Sequence, residues 1–246
     1  KNPKTARKSF IGCRILTFKD VLMIAEGFRI KRENGEPVKE IIAGEWTGKY
    51  LHEKDPADNK NRPGIYAETK KLNLEKLLLK ELKENDWLIT DNPKTIETYH
   101  NKVAIANTKA RFIVQTFYTE SIEQLNIYLP NIPKCMLIWK PEMGKDLKDN
   151  YIKIINYCVN NNIEIMGPSI AGAPNNYGEL IAPWMVELIH QSGMIIHPYT
   201  FNTNTEFNNY GARVDGVFTN RADLALIYFK RLELNTSESI LTELGY

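Results

Sequence analysis

The run Gly64-Ile65-Tyr66-Ala67-Glu68-Thr69-Lys70 sets a carboxylate and an ammonium two residues apart at the end of a short apolar segment. In a strand alternate side chains share a face, so Glu68 and Lys70 point the same way. In a parallel barrel that face, at the C-terminal mouth, is where ligands are met. The pair suits a metal ligand beside a phosphate clamp, and it suits an ordinary interior ion pair; the spacing leaves both open. Gln115 and Phe117 share a face at the end of the run Arg111 to Phe117, as do His197 and Tyr199 in Met194 to Thr200. Polar residues that interrupt apolar strands near their ends converge on one mouth. His197 has no second histidine or Cys/Asp partner at metal spacing and reads as a hydrogen-bonded interior histidine. His52, His100 and His190 read as loop or helix-surface residues. Asp55 and Asp58 lack the D-x-D-x-D-G order of a calcium loop and read as turn residues.

These side chains need elements to hold them. From Gly64 onward, short apolar runs alternate with segments of helical period, the pattern of a parallel sheet wound with helices. Strands are predicted at Gly64 to Glu68, Arg111 to Phe117, Lys134 to Trp139, Glu164 to Met166, Met194 to Thr200 and Asp215 to Thr219. All but the first are near-continuous apolar runs, as strands covered on both faces should be. Tyr151, Ile154, Ile155, Cys158 and Val159 recur at i, i+3, i+4, i+7 and i+8, as do Ile181, Trp184, Met185, Leu188 and Ile189, so each set forms one apolar helical stripe. Leu74, Leu78 and Leu82 mark a further helix with Glu75, Lys76, Lys80 and Lys83 on its wet side, and Gly193 is placed to end the Ile181 helix. Thr17 with Asp20, and Asn220 with Asp223, read as helix N-caps with an acid three residues on. Six βα units follow Gly64, preceded by a helix near Thr17 to Ala25. The polar stretch from Lys31 to Pro63 reads as an insertion within a single domain spanning 1–246.

The chain has 246 residues, 43% hydrophobic and 25% charged, and a net charge of +2, the profile of a globular domain with a sizeable core. The positive charge is not gathered on one face with interleaved aromatics, so no nucleic-acid partner is expected. The longest apolar runs fall far short of the roughly 20 residues that cross a bilayer, so no transmembrane segment is expected. The basic start KNPKTARKSF is not followed by the apolar stretch and cleavage site of a secretory signal. Cys13, Cys135 and Cys158 lack CxxC spacing and read as core thiols rather than a zinc or disulfide framework. No strand leads into G-x-G-x-x-G or G-x-x-x-x-G-K-[ST], which weakens the open dinucleotide-type sheet against the barrel, and the Gly167 to Gly172 loop reads as a Gly/Pro loop.

GIYAETK, VQTF, HPYTFN and VDGVFTNRADLA, in that order and separated by helices, resemble the second half of a glycerophosphodiester phosphodiesterase. The segment MGPS before GAPNN is similar to the bacterial periplasmic branch of that family, which would imply an extracytoplasmic location. The resemblance runs from about Thr17 to Arg231. It implies an α/β fold, a (β/α)8 TIM barrel, that hydrolyses glycerophosphodiesters to glycerol 3-phosphate and an alcohol with a divalent cation, Ca2+ or Mg2+. Carried over by position, it implies Glu68 as a metal carboxylate and Lys70 as the catalytic cation near the phosphate. Gln115, Phe117 and Tyr199 would bind the small-molecule substrate. Thr116 stands where family members have serine, and Asn220 and Ala222 stand where an acid and a proline are usual.

The family carries its histidine pair and its other metal carboxylates in H-R-G, P-E-N-T and E-x-D motifs on the first two strands; H-R-G and P-E-N-T do not occur in this sequence, and the triplets Glu53-Lys54-Asp55 and Glu84-Asn85-Asp86 fall in the polar stretch and at the end of the Leu74 helix instead. The chain is expected to begin near the second helix of the barrel, with the first two strands and the catalytic segment upstream of Lys1. In the intact protein the resemblance implies attack on phosphorus by the substrate's own hydroxyl, with one histidine as base and the other protonating the leaving alcohol. The competing expectation is a barrel-derived binding or structural protein without the catalytic N-terminal third. A metal-independent hydrolase would need paired carboxylates at two strand ends, and Glu68 alone ends a strand.

Overall fold

The computed structural model describes residues 15–58, 60, 62–89, 92–93, 111–170 and 178–230. It divides the chain into two compact units, one holding the described residues up to Arg62 and the other Pro63–Arg231. Cys13, His100 and the GAPNN loop lie outside the described residues.

The first unit opens on α1 (Phe18–Ala25), which forms where Thr17 was expected to cap it: the Thr17 hydroxyl accepts from the Asp20 amide, and the Asp20 carboxylate accepts from the Thr17 amide. Six short strands follow: β1 (Phe28–Ile30), β2 (Arg32–Glu33), β3 (Glu36–Pro37), β4 (Lys39–Ile42), β5 (Glu45–Tyr50) and β6 (His52–Lys54). They pair antiparallel as β1 with β6, β2 with β3 and β4 with β5. The polar stretch is therefore built of hairpins. Asn34-Gly35 and Ala43-Gly44 all take positive φ, the geometry of the two-residue turn whose twist matches that of the strands it joins. His52 is not on the surface. Its side chain is 4% exposed and its Nε2 lies 2.9 Å from the Asp20 carboxylate, so the acid that caps α1 also holds the histidine of β6. Asp55 and Asp58 make turns as expected, accepting from the amides of Ala57 and Lys60.

The second unit runs β7 (Ile65–Glu68), α2 (Glu75–Glu84), the antiparallel pair β8 (Leu88–Ile89) and β9 (Asn92–Pro93), β10 (Phe112–Thr116), α3 (Thr119–Tyr128), β11 (Lys134–Ile138) and α4 (Leu147–Asn160). It continues with β12 (Ile165–Pro168), α5 (Pro183–Gln191), β13 (Ile195–Ile196), α6 (Asn204–Tyr210) and α7 (Ala222–Tyr228). The strands β7, β10, β11, β12 and β13 form one parallel sheet in chain order, the α/β winding of a (β/α)8 barrel. The first five predicted strands thus form. The sixth, Asp215 to Thr219, is extended but not a strand. The amides of Asp215 and Gly216 share the Ile196 carbonyl, and the Phe218 amide donates to the Pro198 carbonyl. Pro198 has no N–H to return, so the ladder is broken on that side.

The helices follow the periodicity with adjustments at their ends. Tyr151, Ile155 and Cys158 of α4 are buried, whereas Val159 and Trp184 are partly exposed. Trp184 instead lays its ring edge-to-face on Tyr151 at 5.8 Å. Gly193, at φ +78°, follows the end of α5 as expected. The cap at Asn220 is not made: α7 starts one residue later, with Arg221 at the N-cap and its guanidinium on the Asp223 carboxylate at 2.6 Å. Asn220 instead donates its amide to the Asn202 side chain. Cys135 and Cys158 are free, buried thiols. Burial pushes each up to about 12, which leaves them inert as nucleophiles. No helix among the described residues is long and apolar enough to cross a membrane.

Inside the sheet, Ile113, Cys135, Leu137, Ile165 and Ile195 form one cluster, flanked by Tyr66, Phe117 and Tyr199. These are alternate residues of each strand, so one face of every strand fills the interior. Gly167 of β12 belongs to the same face, and a Cβ there would lie 2.7 Å from Leu137 Cδ2 and 2.9 Å from Cys135 Sγ. Gly167→Ala is expected to overpack this layer and cost about 1–3 kcal/mol. Calorimetry checks it: a lowered melting temperature is expected, and an unchanged one shows that the layer has room.

Candidate active site

The register of the sheet builds the site. Gln115 pairs with Glu68 on one side and with Cys135 on the other, so the two polar side chains enter the interior side by side where β7 and β10 end. The Gln115 amide approaches the Glu68 carboxylate, Nε2 to Oε2, at 3.4 Å. Lys70 closes on the other oxygen, Nζ to Oε1, at 2.7 Å. Glu68 is 18% exposed and Lys70 is 77% exposed. The two do share a face, but the ammonium stands in solvent, and the pair is not an interior ion pair.

Around them lies a cavity of about 480 Å3 lined by Glu68, Lys70, Gln115, Phe117 and Tyr199, together with Leu137, Thr200, Phe218, Thr219 and Asn220. All five site residues read from the sequence come to this one opening. Phe117 and Tyr199 meet edge-to-face at 6.1 Å, and the Tyr199 hydroxyl donates to the Ile138 carbonyl at 3.1 Å. That bond ties the ends of β11 and the segment after β13. The aromatic wall is therefore anchored before any ligand arrives, which lowers the ordering cost of binding.

Thr200, Phe218, Thr219 and Asn220 escaped the sequence reading because the last extended segment was read as a strand leading into a cap. The signal was present: Gly216, Phe218 and Asn220 alternate, and Phe218 does pack edge-to-face on Tyr66 at 4.7 Å. Gly216 leaves the space that the His197 ring fills, since a Cβ there would stand 2.8 Å from Nε2.

His197 lies beneath the cavity, 3% exposed, with Nδ1 at 3.4 Å from the Tyr66 hydroxyl. Burial drives it down to about 4, against a smaller opposing pull from Asp215. It is a neutral interior histidine, as its sequence context suggested. The same desolvation raises the Tyr66 phenol. No histidine lines the cavity among the described residues.

A divalent cation such as Ca2+ or Mg2+ takes six or more oxygen ligands, waters and carbonyls among them, anchored by one or more carboxylates. Among the described residues no three of His, Cys, Asp and Glu gather as a ligand set. Glu68 is the one carboxylate lining the cavity, and Lys70 already sits on one of its oxygens. These residues do not make a metal site by themselves.

Because His197 titrates lower folded than unfolded, the folded state resists its protonation. Its contribution is present above about pH 6.5 and is lost as pH falls toward 4. The depression to about 4 corresponds to roughly 3 kcal/mol. Urea unfolding from pH 7 to 4 is expected to show a loss of that order, and His197→Gln should flatten the slope; equal slopes would show that His197 is hydrated.

The sequence and the fold have known counterparts. Residues 81–224, more than half of the chain, match the family model described as the glycerophosphoryl diester phosphodiesterase family. The match takes in Gln115, Phe117 and Tyr199 and begins after Lys70. A glycerophosphodiester phosphodiesterase of Bacillus subtilis (strain 168) is 26% identical over 201 residues, covering 76% of this chain and 61% of its own length. Among solved structures, a protein of Silicibacter pomeroyi DSS-3 named for the same phosphodiesterases superposes with a TM-score of 0.51 at 14% identity. That match covers 70% of this chain and 52% of that one. The chain thus spans about 61% of the length of the curated relative it matches and about half of the solved structure.

Proposed function

Since the chain belongs to the glycerophosphoryl diester phosphodiesterase family, we propose that the whole protein hydrolyses glycerophosphodiesters to glycerol 3-phosphate and an alcohol, with the substrate's phosphate at the Glu68–Lys70 mouth. The observation that carries this reading is the cavity itself: an exposed ammonium fixed at 2.7 Å by a half-buried carboxylate, beside an aromatic wall.

Each lining residue then has a role. Lys70 offers an accessible positive charge to the phosphoryl oxygens, and a charge held in place is stronger toward a developing anion than one that must reorganise. Glu68 keeps that ammonium at the strand end. Gln115 has a buried Oε1 with no hydrogen-bond partner, which suits it to accept from a substrate hydroxyl. Phe117 and Tyr199 supply the apolar surface for the carbon skeleton, and their small angular freedom fixes its orientation.

The family is generally dependent on a divalent cation, and in this reading Glu68 lends a single oxygen ligand to Ca2+ or Mg2+. A second reading, a phosphodiester-binding protein without turnover, is favoured by the absence of a histidine from the lining among the described residues.

Release of glycerol 3-phosphate by the whole protein distinguishes the two. Turnover is expected, and Lys70→Met should lower kcat/KM by about 10²–10³-fold, the scale for removing one charge-stabilising donor; binding without turnover favours the second reading. For Glu68, calorimetric titration of Glu68→Gln with Ca2+ and Mg2+ is decisive. A ligand role predicts a sharp fall in metal affinity. Pairing with Lys70 alone predicts unchanged affinity and a stability change of only about 0–1 kcal/mol, since the ammonium of that pair stands in solvent.

A further inference from the structure

Behind the strand end that carries Glu68 and Lys70 lies a buried polar chain that the site does not otherwise use. Thr69 sits between the two, and its side chain enters the opposite face of β7. Its hydroxyl lies 3.0 Å from the Ser121 hydroxyl, and Ser121 donates to the Glu75 carboxylate. Thr69 is 4% exposed, Ser121 is fully buried and Glu75 is 1% exposed. Removing a carboxylate from water costs several kcal/mol unless it is well bonded, so a buried Glu75 needs a reason to stay.

Its surroundings supply one. Glu75 is the first residue of α2, Ser121 lies in the first turn of α3, and the positive end of a helix favours an anion. Ser121 has one proton and donates it to the Glu75 carboxylate, so Thr69 must donate to the Ser121 oxygen. The chain has one direction, from strand to carboxylate. The Thr69 amide meanwhile donates to the Gln115 carbonyl at 3.0 Å. Thr69 is thus held by backbone from β10 and by side chain from Ser121 of α3, which is itself held by Glu75 of α2.

We infer that Glu75, Ser121 and Thr69 form a positioning relay that fixes the Glu68–Lys70 pair and the neighbouring Gln115 in the geometry the reaction uses. The inference rests on the phosphodiesterase reading above. None of the three lines the cavity, so they are positioning residues. Their effect falls on the transition state, where small displacements of a charged group matter most.

The test compares Thr69→Val, which keeps the shape and loses the hydroxyl, with Thr69→Ser, which keeps the hydroxyl, both in the whole protein. Using glycerophosphocholine and glycerophosphoglycerol, Thr69→Val is expected to lower kcat about tenfold or more while KM stays within about twofold, and Thr69→Ser to restore kcat. A Thr69→Val enzyme with wild-type kcat, or a Thr69→Ser enzyme no better than the valine variant, overturns the relay. If the wild type turns over neither substrate, the phosphodiesterase reading fails. Crystal structures of the two variants then still decide the relay: a Glu68–Lys70 ion pair that is broken in the valine variant and intact in the serine variant supports it, and a pair intact in both overturns it.

Discussion

The register of five parallel strands is the constraint from which the rest follows. Once Gln115 pairs with both Glu68 and Cys135, and Cys135 with Ile165, the side-chain period of two leaves no freedom over which residues face inward. A slip of one position on β7 would send Glu68 toward the helical layer and bring Thr69 into the interior. The cavity would then lose its carboxylate, and the polar chain to Glu75 would lose its donor. The register is secured by packing: Cys135, Leu137 and Ile165 fill the interior, and each would be displaced onto the wrong face by a one-residue slip of its own strand.

That interior is graded from one end to the other. At the mouth, charge is admitted and shared with water through Lys70. In the middle, desolvation keeps His197 and Cys135 neutral, the first held down to about 4 and the second up to about 12. At the opposite end, Lys134 is fully buried, yet its ammonium donates to the carbonyls of Pro130 and Ile132. Its amide donates to the Glu164 carboxylate at 2.8 Å. Burial lowers the lysine and raises the glutamate, so these groups stabilise the strand starts through hydrogen bonds as much as through charge. The same residue types stand in water at one end, where Lys70 is 77% exposed, and are held by hydrogen bonds at the other, where Lys134 is fully buried.

Much of this was legible in the sequence because it depends on local period. Continuous apolar runs identified β10, β11, β12 and β13, and the pairs Glu68/Lys70, Gln115/Phe117 and His197/Tyr199 were placed on one face by alternation alone. What stayed hidden depends on contacts between distant segments. The hairpins of residues 28–54 are too short and too exposed on both faces to show a period, leaving only Asn34-Gly35 as a turn signal. His52 looked like a surface residue because nothing local reveals that Asp20, thirty-two positions earlier, meets it. The last extended segment had the composition of a strand, but Pro198 on its neighbour denies it a ladder. Glu75 read as one more wet-side charge of an amphipathic helix until α3 closed over it.

The one-sided attachment of residues 215–220 has a dynamic consequence. Strands β10, β11 and β12 are bonded along both edges and open only with the core, whereas this segment is attached on one side, through backbone bonds to Ile196, Pro198 and Phe201 and through side-chain bonds to His190 and Asn202. Elements held by fewer bonds and contacts open at lower free energy than the body they lean on. Phe218, Thr219 and Asn220 therefore form a hinged wall on a rigid floor: slow amide exchange is confined to the floor, and the width of the entrance fluctuates while Glu68 and Gln115 stay in register.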